Sequence, residues 1–311
     1  TGAVYGPVAV MPTSANRSRY VYILLFLGLV SISVSAILIR WASTDAPGET
    51  LAVWRTIFAA CILAPVALVR SRAEIRSFSS REVVLVLISG VFLGLHFIFW
   101  IGSLYHTSVA SASVLVSLSP IFLAVIGFLV LRERPTTAAI ISIFVATLGT
   151  VLLGWADLEN QAGMGTNPFL GNSMALFAAL LVSVYLLIGR VVRQSRSWLA
   201  YVGPLYVVTA LTTLVVALLN GVPLLGYDWS FYGLCFAMAV VPQLLGHGSL
   251  NYVVKYFPAA TIGLASLFEP VGASLLAWAV FGEIPTAIGI LAMTVILVAV
   301  STAMRNPKKA T

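Results

Sequence analysis

Apolar runs of spanning length alternate with short polar breaks from about residue 20 to the end of the chain. A run of about 20 apolar residues crosses a hydrocarbon core roughly 30 Å thick as a helix, and lipid leaves a helix as the natural way to satisfy the backbone. The pattern predicts helices at 20–40, 50–70, 82–103, 107–131, 136–155, 170–190, 199–220, 229–253, 257–281 and 285–304. The fourth and fifth are separated only by Arg132-Glu133-Arg134-Pro135. The longest connection, 156–169, carries Gly163, Gly165, Asn167 and Pro168 and divides the chain almost in half. The expected class is an all-α membrane protein with ten transmembrane helices.

Lys and Arg sharpen this picture. With the N-terminus inside, the cytoplasmic segments hold 15 of the 17 basic residues, in clusters at 17–19, 70–81, 132–134, 190–196, 255 and 305–309. Arg40 is the one left on an outer connection, and Arg55 lies within a span. Positive charge accumulates on the cytoplasmic side, so the split predicts ten spans with both termini cytoplasmic.

The chain also repeats itself. "VLVSLSPIFLAVIGFLVLRERPTTAAI" matches "IGLASLFEPVGASLLAWAVFGEIPTAI", pairing Pro120 with Pro270, Glu133 with Glu283, Pro135 with Pro285 and Thr136 with Thr286, all 150 apart without a gap. Five is odd, so the second unit runs upside down relative to the first. That is the inverted-repeat plan of many secondary transporters, with a mid-membrane site between the repeats. The expected organisation is a cytoplasmic segment 1–19, a first repeat 20–155, an external linker 156–169, a second repeat 170–304 and a cytoplasmic tail 305–311. Met11 is one candidate for the natural start, with residues 1–10 either a remnant before it or native, and no cleavable signal sequence is evident.

Composition agrees: 60% of the 311 residues are hydrophobic and 9% charged, where a soluble domain carries about a quarter charged residues. The net charge of +7 is topological, with no interleaved Arg and aromatic patch for nucleic acid. Cys61 and Cys235 read as small buried apolar residues without a disulfide. No phosphate-binding G-x-x-x-x-G-K-[ST] loop, G-x-S-x-G elbow or zinc-spaced cluster occurs. The expected protein is not an enzyme and uses no cofactor or metal.

Three segments, "LAVWRTIFAACIL" (51–63), "SLSPIFLAVIGFLVLRERP" (117–135) and "LFEPVGASLLAWAVFGEIP" (267–285), resemble the drug/metabolite transporter superfamily, specifically its ten-helix EamA type. The resemblance covers about residues 20–305; Ala139, where the second half has Gly289, makes the first repeat the less typical copy. It implies a secondary transporter of the bacterial inner membrane that exports small metabolites. Within the family the chain looks most like exporters of aromatic amino acids and some cationic toxicants. A monomer suffices for such a fold, and a passive channel for small solutes is the alternative.

Candidate cavity residues follow from intramembrane polarity. His96, Trp100 and Ser103 form one stripe of the third span, with Gly90 and Gly94 on the other side suited to close packing. Gln243, His247 and Asn251 form a stripe of the eighth; lipid would leave these groups unsatisfied, so they face protein or a watered cavity. The repeat offset sets the two stripes against each other. Glu269 sits mid-span before Pro270, either bonded to a freed backbone group or serving a substrate amine or a proton. Arg55 either snorkels to the interface, pairs with a helix or meets a substrate carboxylate. Tyr185, Tyr206 and Ser117 are further candidates, as stacking rings and a path-lining hydroxyl. Pro120 and Pro270 each remove a backbone hydrogen bond at equivalent positions and are expected to bend their helices as hinges.

Overall fold

A computed structural model describes residues 14–42, 46–107, 109–158, 167–282 and 284–305. The expectations concerning residues 1–10, Met11, Gly163, Gly165, Glu283, Lys308 and Lys309 lie outside the described residues. The helices are α1 (Ser14–Ala42), α2 (Gly48–Arg70), α3 (Arg72–Arg76), α4 (Ser80–His106), α5 (Val109–Val116), α6 (Ser119–Leu131) and α7 (Thr137–Leu158). The second half holds α8 (Pro168–Ser195), α9 (Trp198–Leu219), α10 (Trp229–Met238), a π-helical stretch (Ala239–His247), α11 (Gly248–Val253), α12 (Ala259–Ser266), α13 (Phe268–Phe281) and α14 (Ala287–Arg305). No strand occurs among the described residues. Among the described residues, eight helical bodies are long and apolar enough to cross a membrane, and the apolar stretches Thr137–Leu153 of α7 and Ala287–Thr302 of α14 are shorter.

Three predicted spans are interrupted. The stretch expected at 107–131 is α5 and α6, broken at Ser117-Leu118, and that at 257–281 is α12 and α13, broken at Leu267. Pro120 and Pro270 therefore sit in the first turn after a break rather than at a smooth bend. A proline costs no hydrogen bond in a first turn, where its missing N–H has no intrahelical partner. The eighth span widens into the π-helical stretch around Pro242.

The offset of 150 recurs in the contacts. Ser33 Oγ donates to Leu29 O at 3.0 Å and lies 3.3 Å from Glu269 O. Its equivalent, Ser183 Oγ, lies 2.7 Å from Ala179 O and 3.1 Å from Ser119 O. Arg132 (φ 58°) and Gly282 (φ 72°) both end their helices in the left-handed region. There glycine is unstrained and arginine is not. The hydroxyls of Thr136 and Thr286 accept from Ala139 N at 3.1 Å and Gly289 N at 3.0 Å, capping α7 and α14 alike.

The connections gather at two ends. At one, Thr50 Oγ1 and Trp54 Nε1 donate to Pro223 O and Leu224 O, and Asn167 N donates to His106 O. At the other, Arg196 is held by Glu82 at 2.6 Å and Glu74 accepts from Ser197 N. The hydrogen bonds that Arg196 donates to the Glu82 carboxylate raise its pKa above the ordinary value. The outer surface carries large apolar side chains such as Leu211, Phe169 and Val298, an expanse suited to lipid. Cys61 belongs to that surface, contrary to the expectation that it is buried, because its face of α2 turns outward with Ile62 and Val66; Cys235 is buried, and both thiols are free.

Candidate functional site

The central cavity is lined by residues of α1, α2, α4, α5, α6, α8, the π-helical stretch, α11, α12 and α13. Its polar groups come from Ser35, Arg55, His96, Ser117, Ser119, His247, Ser266 and Glu269, with Trp100 and Phe97 among the rings. The two repeats contribute equivalent positions to the wall: Ile32 with Val182, Val116 with Ser266, and Ser119 with Glu269, each 150 apart. The cavity measures about 60 Å³. That admits a few waters and falls well short of the roughly 300 Å³ at which ligand pockets begin.

Arg55 is 1% exposed. Its Nε donates to Gln243 Oε1 at 3.2 Å and its guanidinium lies over the Phe97 ring, 4.1 Å from the centroid. A group so enclosed does not snorkel; it joins α2 to the π-helical stretch and stands at the cavity wall. The two imidazoles meet as the offset suggests, with ring centroids 6.1 Å apart. His96 Nδ1 lies 2.9 Å from Ala178 O of α8, and His247 Nδ1 lies 3.0 Å from Tyr185 Oη. Gly90 and Gly94 turn the other face of α4 onto α9, where a Cβ at 90 would lie 2.5 Å from Val208 Cβ and one at 94 would lie 2.8 Å from Thr212 Cβ.

Arg55, His96, Trp100, Ser117, His247 and Glu269 are thus brought to one cavity. Ser103, Tyr185, Gln243 and Asn251 are not part of its lining. Ser103 Oγ donates to Trp100 O, and Asn251 Nδ2 donates to His247 O at 2.9 Å, so both brace residues that are. Tyr206 likewise donates to Gln243 O at 2.9 Å. Gln243 Nε2 and Asn251 Oδ1 are buried without a hydrogen-bond partner, and each such atom costs about 1–3 kcal/mol. Ser119 and Ser266 escaped the sequence reading, although subtracting 150 from Glu269 leads directly to Ser119. The π-helical turn was missed as well; Pro242 inside an apolar run was its signal.

A multi-pass helical membrane protein with a polar cavity shared between two repeats defines a class, that of membrane transporters. The EamA-like transporter family matches residues 19–155 and again residues 169–305. The chain belongs to that family. It is similar to the pseudopaline exporter CntI of two Pseudomonas aeruginosa strains, 25% identical over 296 residues that cover 92% of this chain and 96% of the relative. A solved crystal structure of a protein 17% identical to it superposes with a TM-score of 0.76, covering 92% of this chain and 97% of that one. At that identity the likeness speaks for the fold.

Proposed function

We propose that the chain is a secondary transporter of the bacterial inner membrane that exports small metabolites, amino acids with aromatic or other apolar side chains foremost, by alternating access. The observation that carries the reading is the cavity wall, to which both repeats give equivalent residues and which holds Arg55, Glu269 and two imidazoles among apolar rings. A guanidinium suits a carboxylate as a forked donor, a carboxyl group suits an ammonium, and Trp100 and Phe97 suit an apolar side chain. The relatives named as exporters support the direction of transport, and the basic clusters support cytoplasmic termini. Two repeats inverted about an in-plane axis can exchange conformations, with the breaks before Pro120 and Pro270 as pivots. The small volume of the cavity fits a closed state between openings and does not suit a standing channel.

Glu269→Gln tests the reading. Counterflow of a zwitterionic amino acid in proteoliposomes is expected to fall about tenfold or more, through loss of roughly 1.5–3 kcal/mol of charge-assisted bonding. Flux of an analogue lacking the amine should change little. Unchanged counterflow and unchanged pH dependence would remove Glu269 from the mechanism.

A further inference from the structure

We propose that Arg190 and Glu133 form an inter-repeat latch that holds one end of the central cavity shut and must break for that end to open. Arg190 belongs to α8 in the second repeat, and Glu133 to the α6–α7 connection in the first. Arg190 Nε donates to Glu133 Oε1, while its Nη1 donates to the carbonyls of Val254 and Phe257 in the α11–α12 connection. The second carboxylate oxygen, Glu133 Oε2, accepts from Ala259 N at 3.1 Å, the first residue of α12. One ion pair therefore ties together α8, the end of α6 and the start of α12. Its side chains are 7% and 18% exposed.

The latch lies on the path out of the cavity. Leu186 lines the cavity, and Arg190 stands four residues on, about 6 Å along the helix axis. Between them the helices are in ordinary van der Waals reach: a Cβ on Gly127 would lie 3.6 Å from Ala259 Cβ and 3.7 Å from Leu187 Cδ2. Outside the ion pair, a recess of about 670 Å³ is lined by Leu131, Glu133, Arg190, Gln194, Lys255 and Tyr256. The ion pair thus forms part of the wall of an open recess and stands about one helical turn beyond the cavity lining.

The repeat gives this pair a second reading. Arg40 precedes Arg190 by 150, and its guanidinium lies over Phe281 at the end of α13, 4.2 Å from the ring centroid. Equivalent arginines thus meet the ends of the equivalent helices α13 and α6, at opposite ends of the molecule. Arg190 is buried and Arg40 is exposed, so the two equivalent positions differ in burial. Switching would exchange the two environments.

The test rests on the alternating-access reading but needs no substrate, so failure to find a transported solute does not affect it. Ser266→Cys is placed at the cavity in a chain carrying Cys61→Ser and Cys235→Ala, and reconstituted in liposomes. A membrane-impermeant thiol reagent is applied from each side. The side from which Lys255 reacts with an impermeant amine reagent identifies the latch end. Glu133→Gln and Arg190→Gln are each expected to raise labelling from that side about tenfold, near the factor for 1.4 kcal/mol, and to lower it from the other. The double variant should fall short of the product of the two single effects, since both break the shared ion pair. Unchanged labelling, an equal rise from both sides, or multiplying effects in the double variant would each overturn the latch. Glu133→Gln keeps the size of the side chain and carries the test if Arg190→Gln does not fold, as judged by size-exclusion chromatography.

Discussion

Arg55→Gln is expected to lower substrate counterflow about a hundredfold or more in proteoliposomes, the equivalent of roughly 3 kcal/mol lost from the transporting complex. The guanidinium is buried at the cavity wall, bonded to Gln243 and stacked on Phe97. Its removal takes away the cation that would meet a substrate carboxylate and leaves Gln243, already short of one partner, without its other one. Arg55→Lys keeps the charge and loses the planar fork, so its defect should appear mainly as weaker substrate binding. A variant with Gln at 55 that transports at the parental rate would exclude Arg55 from substrate recognition.

Gly263→Val is expected to leave a folded, monodisperse protein that transports at a small fraction of the parental rate. A Cβ at 263 would lie 2.7 Å from Pro120 Cα and 2.8 Å from Leu123 Cδ1. Pro120 opens α6, and its backbone has little room to retreat. Overpacking of this kind typically costs about 1–3 kcal/mol, here charged against the state in which α6 and α12 are closed. The population of that state should fall by roughly five- to a hundredfold, with a lower thermal midpoint in detergent. Gly233→Ala, where a Cβ meets nothing within 4 Å, is the control and should change neither. Parental transport and melting in Gly263→Val would mean that the α6–α12 contact is not part of the cycle.

The helical class and the repeat could be read from the chain because both are periodic. Lipid enforces apolar runs, and duplication left Pro120 and Pro270 at one offset. The same offset, to within one residue, also pointed to the meeting of His96 and His247. Other features depend on tertiary packing, which hydropathy does not report. Arg55, two turns into α2, leaves snorkelling, helix pairing and a substrate carboxylate all open in the sequence; only the neighbours on its inward face show that it is buried. A proline read as a mid-helix kink turns out to start a new helix, since sequence alone does not separate the two cases. The ion pair of Arg190 with Glu133 joins residues 57 apart, Arg190 already explained in the sequence as topological charge and Glu133 as a position of the repeat. Ser119 and Ser266 read as ordinary serines of an apolar helix until the two copies are superposed.

The central claim is that two equivalent ends open in turn around one cavity. Spin labels at Leu131 with Val191, and at Phe281 with Trp41, form pairs related by the offset of 150, one at each end of the molecule. Electron–electron distance measurements in lipid, with and without substrate, report both ends of one protein. The account predicts that when one distance lengthens the other shortens. Two distances that stay fixed under every substrate condition, or that lengthen together, would contradict it.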